Sequence, residues 1–315
     1  MSAITRWMWV LGCAALVAAC ATRSPAGGDG TRPVWRIVSL GCAQDAGYPH
    51  LGCFKPCCER ARADGRRESV AALAVESVDS GDWWLVDATP DLPAQIHGRG
   101  RLPKGILLTH AHIGHYTGLM YLGREGMGAR GMPVFASRKM ARFLTDNAPW
   151  SQLVALGNIR ITEFDDGVPF ELGSGMRVVP HAVPHRNEFA DTHAFAFEDV
   201  LYVPDIDRWE DWRTEGTSTG GMRRPFDAWK TLVVDGTFFD GGELPGRNMK
   251  EIPHPTVVRT LELLADARTT PTVWFTHLNH TNPLWDKGSS ASSRLAAEGC
   301  RVAYAGLELW RTPHE

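Results

Sequence analysis

Residues 104–123, KGILLTHAHIGHYTGLMYLG, constrain this chain more than any other stretch. Ile106, Leu107, Leu108 and Thr109 form a short apolar, β-favouring run that reads as a buried strand. Three histidines follow it, His110, His112 and His115. Side chains two apart on an irregular turn at a strand end can converge on one point. Neutral imidazole is the commonest metal ligand at physiological pH. The competing reading is a His-rich surface turn, but such a turn needs no buried strand to feed it and no further histidines downstream. Tyr116, Leu119, Met120 and Gly123 stand at helical spacing, so a helix is expected after the turn.

Around this stretch, strand-like and helix-like segments alternate. Strands are expected at 34–40, 69–76, 82–88, 133–136, 159–164, 176–183, 193–198, 200–204, 231–235, 272–276 and 301–310. Helices are expected at 91–97, 137–147, 256–265 and 290–298, with 147–154 a Pro/Trp-containing connection. Residues 208–230 read as a long surface excursion, and 237–255 as a loop. Histidines and aspartates fall at strand ends: Asp87, His185, Asp205, Asp207, Asp235 and His277. That pattern predicts an α/β fold, sheet layers covered by helices, with a site built on loops at one edge.

The N-terminus is not expected to join this fold. Arg6 precedes an apolar run from Trp7 to Ala21, too short for the ~20 residues that span a bilayer and suited to a secretory leader. Val17-Ala18-Ala19-Cys20 has the form of a lipoprotein cleavage site, with lipid on the Cys20 sulfur; an ordinary leader cut nearby is the alternative. Residues 1–19 are thus expected to be a signal peptide, 20–33 a Gly/Pro/Ser-rich tether and 34–312 the domain. Both readings export the protein, and the first anchors it by lipid at the periplasmic side of a bacterial membrane. A net charge of −3 and the lack of a basic run argue against a nucleic-acid partner; a small-molecule substrate is expected.

Of seven cysteines, Cys13 falls in the leader and Cys20 at the lipid site; Cys42, Cys53, Cys57, Cys58 and Cys300 remain. An odd number excludes a complete disulfide framework. Cys53, Cys57 and Cys58 crowd one Gly/Pro-rich loop beside His50, which suits a structural metal site. A disulfide competes in an oxidising compartment, although vicinal Cys57 and Cys58 would strain to pair with each other.

The stretch HAHIGH at 110–115 resembles the HxHxDH signature of the metallo-β-lactamase superfamily, matching at His110, His112 and His115 and departing at Gly114, where the family has aspartate. His185, Asp205 and His277 match the later metal-binding positions in order, and Asp87 resembles the earlier aspartate that orients the metal loop. The resemblance implies an αββα four-layer sandwich. It implies a three-imidazole site of His110, His112 and His185, and a second site of His115 and His277, with Asp205 bridging the two. With glycine at 114 the second site is expected to be weak or empty. Zinc, one ion or two, is the expected cofactor, with iron as the alternative. Asp205 and His115 are the expected catalytic groups.

GCAQDAGYPHLGC, LVDATPDLPAQI, LVVDGTFFDGGEL and the C-terminal FTHLNHTNPLWD narrow the resemblance to the coenzyme PQQ biosynthesis protein B branch, and more distantly to the phosphonate-pathway phosphodiesterases. In those relatives the early Cys-rich loop holds a structural zinc; here Lys55 replaces the middle cysteine and Cys57 is extra. Asn279, His280 and Asn282 follow His277 closely and are expected either to meet substrate or to cap the turn. His181, His193 and His254 are expected to be structural or loop histidines, and Asp91 and Asp207 caps or turn residues. The leading functional expectation is an exported hydrolase that turns a metal-bound hydroxide on an ester, lactone, amide or phosphodiester. The alternatives are an iron-dependent oxidative enzyme and a non-catalytic ligand-binding lipoprotein.

Overall fold

The computed structural model describes residues 33–312 other than 174, 213–224, 245, 247, 249 and 250. The expected leader, Cys20 and nearly all of the tether lie outside the described residues. Two seven-stranded sheets carry the fold. In the first, β1 (Trp35–Gly41), β2 (Ala72–Ser77) and β3 (Trp83–Val86) form an antiparallel meander. Three parallel strands continue from it, β4 (Ile106–Leu107), β5 (Met132–Ser137) and β6 (Ile159–Phe164). In the second, β7 (Phe170–Leu172), β8 (Met176–Ala182), β9 (His193–Phe197) and β10 (Val200–Val203) are antiparallel neighbours. Then β11 (Thr231–Asp235), β12 (Thr272–Thr276) and β13 (Arg301–Val302) run parallel to β10. The last strand, β14 (Glu308–Arg311), crosses back to pair with β1.

The sheets face each other across a shared apolar core. Ile37, Val75, Val86 and Leu107 from one sheet join Phe195, Phe197, Val203 and Phe275 from the other in a single buried cluster. A second cluster lies on the outer face of the first sheet, where Leu85, Ile106 and Leu108 meet α2 (Leu92–Arg99), α4 (Arg138–Asp146) and α5 (Trp150–Ala155). Among the described residues the other helices of that size are α1 (Pro56–Ala63), α6 (Val257–Ala265) and α7 (Ser290–Ala297). This is the expected four-layer arrangement. Ser137, Thr256 and Ser289 start α4, α6 and α7 by accepting from the N–H three residues on.

Several local expectations are corrected. The helix expected after the histidine turn is one turn of α-helix, α3 (Ile113–Tyr116), followed by 3-10 helix at Thr117–Leu122. Gly118 explains the tight course: a Cβ there would stand 2.1 Å from the Thr89 carbonyl, so the metal loop presses against the backbone after β3. The connection at 147–154 contains α5. The single strand expected at 301–310 is two short strands in different sheets, and β7 has no counterpart in the expectation. The described part of 208–230 is not a bare surface excursion, because Trp209, Trp212 and Phe226 are buried.

What places the site is the parallel half of each sheet. Strands β3, β4, β10, β11 and β12 end at the same edge, and their C-terminal ends deliver Asp87, His110, Asp205, Asp235 and His277. Ligands in open α/β sheets bind outside such carboxyl ends.

Candidate metal centre

Each strand end is fixed before it presents its side chain. Asp87 N–H donates to Leu107 O at 2.8 Å, tying the end of β3 to β4. The Asp87 carboxylate then accepts from Thr109 N–H and Thr109 Oγ1, both at 2.9 Å, and stands 2.8 Å from His115 Nδ1. Asp87 and His277 both adopt positive φ, 70° and 60°, a conformation unfavourable for non-glycine residues and concentrated at functional sites.

The histidines converge as the sequence order implies. His110 Nε2 is 2.9 Å from His112 Nδ1, which is 3.2 Å from His185 Nε2. His115 Nε2 is 3.4 Å from His277 Nε2. Asp205 lies between the two groups: Oδ2 is 3.1 Å from His115 Nε2, 3.5 Å from His277 Nε2 and 4.0 Å from His110 Nε2, while Oδ1 is 3.7 Å from His185 Nε2. Four tetrahedral ligands about 2.0–2.1 Å from one cation stand roughly 3.3 Å apart, close to these separations. Asp205 Oδ2 is buried and aligned with no hydrogen-bond donor, so a carboxylate lone pair faces a cluster of imidazole nitrogens unsatisfied. Donor type, spacing and this unmatched oxygen all fit a divalent cation.

Charges in the cluster are strongly coupled. Burial alone would raise the Asp205 carboxyl, but the imidazoles of His277, His115 and His110 outweigh it and hold the group well below the usual carboxylate range. Burial pushes His110 well below the ordinary imidazole value, with the adjacent His115 adding to it. Burial also lowers His112 and His277. His115 goes the other way: burial opposes its charge, but Asp87 and Asp205 prevail and raise it.

Several participants escape sequence reasoning. His254, expected to be a loop residue, is buried in the centre; its Nδ1 is 2.7 Å from Asp235 Oδ2 and its ring centroid 5.4 Å from that of His185. Asp207 is no mere turn residue, since Oδ1 stands 2.9 Å from His185 Nδ1 and orients that ring. Glu188 meets His112 Nε2 at 3.1 Å, which turns His112 Nδ1 inward. Asp45, from the loop after β1, accepts from Gly114 N–H at 3.0 Å. The strand-end position of Asp207, the prolines flanking His254 and the lone Asp45 in a glycine-rich loop are the sequence traces of these roles. Asp91 does not cap α2; its carboxylate accepts from Val70 N–H and pairs with Arg67.

The residues after His277, expected either to meet substrate or to cap the turn, are engaged within the protein. Asn282 accepts from Leu284 N–H at 2.9 Å and donates to Gly236 O at 2.7 Å, so it caps the turn. Asn279 donates to Thr281 Oγ1 and its N–H to Thr237 O. His280 joins the cysteines: its Nδ1 is 3.7 Å from Cys57 Sγ and 3.5 Å from Cys58 Sγ. Cys53, Cys57, Cys58 and His280 bring their donor atoms within 4.8 Å of one another, and all three thiols are free rather than paired as a disulfide. Three thiols and one imidazole make a closed donor set of the structural-zinc type. His50 packs against the His280 ring, but its own Nδ1 is 2.7 Å from Leu51 O.

The beta-lactamase superfamily domain matches this chain over residues 82–278, more than half its length. The coenzyme PQQ synthesis protein B of Ruegeria pomeroyi is 28% identical over 312 residues, covering 87% of this chain and 99% of that protein. Its namesake in Rhizobium meliloti is 26% identical over 310 residues, covering 87% and 97%. Among solved structures, zinc-bound PqqB from Methylobacterium extorquens superposes with a TM-score of 0.72 at 21% identity, over 89% of this chain and all of that one. A diphosphatase of the PhnP family gives 0.63 at 20% identity, over 89% and 97%. With the strand-end histidines and the four-layer architecture, these matches show that the chain belongs to the beta-lactamase superfamily and has the metallo-β-lactamase fold in a PqqB-like form.

Proposed function

We propose that this chain is a metal-dependent hydrolase acting on a small ester, lactone, amide or phosphodiester. The observation that carries this reading is the buried Asp205 carboxylate between two imidazole groups, His110/His112/His185 and His115/His277. Those residues would hold divalent cations, zinc foremost, which supply Lewis-acid polarisation and a nucleophile from water at neutral pH. The protein's own contribution is orientation. Asp87 and Asp207 fix the rings of His115 and His185, and Asp235 fixes His254, a buried imidazole that would serve as proton donor to the departing group. Glu188, 46% exposed beside His112, marks the solvent side of the centre.

Measured turnover of phosphodiester and lactone probes by the zinc-loaded protein tests the reading. Activity lost in His110→Ala is expected; no activity in the unaltered protein would overturn it. A second reading, an iron-dependent oxidation, draws on the likeness to proteins called coenzyme PQQ synthesis protein B over nearly their whole length. Stoichiometric iron with oxygen consumption, in protein purified without added zinc, would favour that reading. We further propose that the chain is exported and anchored through lipid on Cys20, on the strength of the apolar run and small-residue cleavage pattern at 7–20. The Cys53/Cys57/Cys58/His280 set is proposed to hold a separate structural zinc.

A further inference from the structure

Glycine stands at 114, where the superfamily signature has an aspartate, yet the space beside it is filled. A Cβ on residue 114 would come 2.1 Å from Asp45 Oδ1 and 2.7 Å from Asp45 Cα. A side chain at 114 and the carboxylate of Asp45 therefore exclude each other. Asp45 Oδ1 accepts from Gly114 N–H at 3.0 Å and stands 3.7 Å from His115 Nε2. The donor atoms of Asp45, His115 and His277 all lie within 4.8 Å of one another. Both imidazoles are committed at Nδ1, His115 to Asp87 at 2.8 Å and His277 to Thr237 Oγ1 at 3.0 Å, so their Nε2 atoms face inward.

The Asp45 loop is held in register with the residue after His277. Gln44 N–H donates to Leu278 O at 3.0 Å, and Leu278 N–H donates to Cys42 O at 2.7 Å. Asp45 also lies outside residues 82–278, the span matched by the superfamily domain, so the common pattern does not assign it a role.

We propose that Asp45 is the carboxylate ligand of a second divalent-cation site, completed by His115, His277 and the shared Asp205. The ligand moves from the metal loop to the loop after β1, and Gly114 is what admits it. The chain then holds a pair of cations where the motif alone implies one. This inference rests on the proposed function, in that the histidine centre must hold metal at all.

Cobalt(II) titration of the metal-stripped full chain, followed by visible absorption and electron paramagnetic resonance, tests it. Thiolate-to-cobalt bands separate the cysteine cluster from the histidine centre. The unaltered protein is expected to take two ions outside the thiolate cluster, with the signature of a coupled pair. Asp45→Asn keeps an acceptor for Gly114 N–H but removes the charge; the second ion should weaken by more than about tenfold, leaving an isolated-ion spectrum. Gly114→Ala, whose methyl would evict the carboxylate while Asp45 stays in the chain, should give the same single-ion state. A coupled pair retained with unchanged affinity in either variant would overturn the proposal, as would a single ion in the unaltered protein. No ion outside the thiolate cluster in the unaltered protein would overturn the proposed function as well.

Discussion

The histidine centre and the cysteine cluster are both convergent donor sets, but they are anchored in different ways. The histidine centre draws its residues from strand ends of both sheets, and four of its rings lean on carboxylates: Asp87 behind His115, Asp207 behind His185, Asp235 behind His254 and the more exposed Glu188 behind His112. Such support fixes ring orientation. The cysteine cluster takes three donors from six consecutive residues at the start of α1, and one from the loop after β12. Among the described residues no carboxylate pairs with His280, and neighbouring Phe54 is 82% exposed. The first arrangement holds its rings in fixed orientations around a shared carboxylate. The second ties two loops together, and one of those loops carries Asp45.

The largest expected effects fall on the histidine centre. His110→Ala or His185→Ala should lower kcat/KM by more than about 10³-fold, the loss expected when a group on which metal activation depends is removed. The fold should survive, because the strands that deliver these residues are held by the apolar core; circular dichroism and metal analysis check both halves of the claim. His254→Gln should lower kcat by about 10²-fold or more, with metal content unchanged, if its role is proton transfer. Loss of metal in that variant would make His254 a ligand and sharpen the comparison differently.

The cysteine cluster should behave in the opposite sense. Cys58→Ser and His280→Ala should each remove one equivalent of zinc and cost about 2 kcal/mol of stability, read as a fall of roughly 4–8 °C in melting temperature. The folded fraction should keep most of its kcat. If His280→Ala abolished turnover at full metal loading of the histidine centre, the separation into a chemical and a structural site would fail.

The two regions also differed in how far the sequence exposed them. Strand ends were legible because a buried apolar run followed at once by His or Asp is a pattern that period and composition both mark, as at Ile106–His110 and Thr272–His277. The sheets followed from the same pattern, together with the resemblance of the motif. Asp45, His254 and the pairing of Asp207 with His185 were not legible, because these roles depend on loops brought together across the sheets. Asp45 meets Gly114 across 69 positions of chain, and His185 meets His112 across 73. His280 was misplaced for a related reason: proximity to His277 in sequence suggested a shared site, whereas its ring meets Cys57 and Cys58 from across the chain. The short strands β7, β13 and β14 carry too few residues for a period to show.

The smallest expected effect lies on the seam between the two regions. Glu243 accepts from Thr281 Oγ1 at 3.0 Å, and Thr281 accepts from Asn279 at 2.6 Å, so this carboxyl bears on the turn that joins His277 to His280. Burial pushes Glu243 up to about 7, against the hydrogen bonds from Phe239 N–H and Thr281 that favour its charged form. The folded-state value lies above that of the unfolded chain, so the fold binds this proton more tightly than the unfolded state does. Its contribution to stability is therefore fully present below the ordinary glutamate range and declines as pH rises, ending near the folded value. Between pH 6 and pH 8 that decline amounts to about 1 kcal/mol. Glu243→Gln, which cannot ionise, should lose this part of the slope while the rest of the pH profile is kept. Denaturant unfolding of both proteins at pH 6 and pH 8 measures it. Equal slopes would mean that Glu243 is already ionised in the fold, and that the turn between the two donor sets carries a buried negative charge throughout.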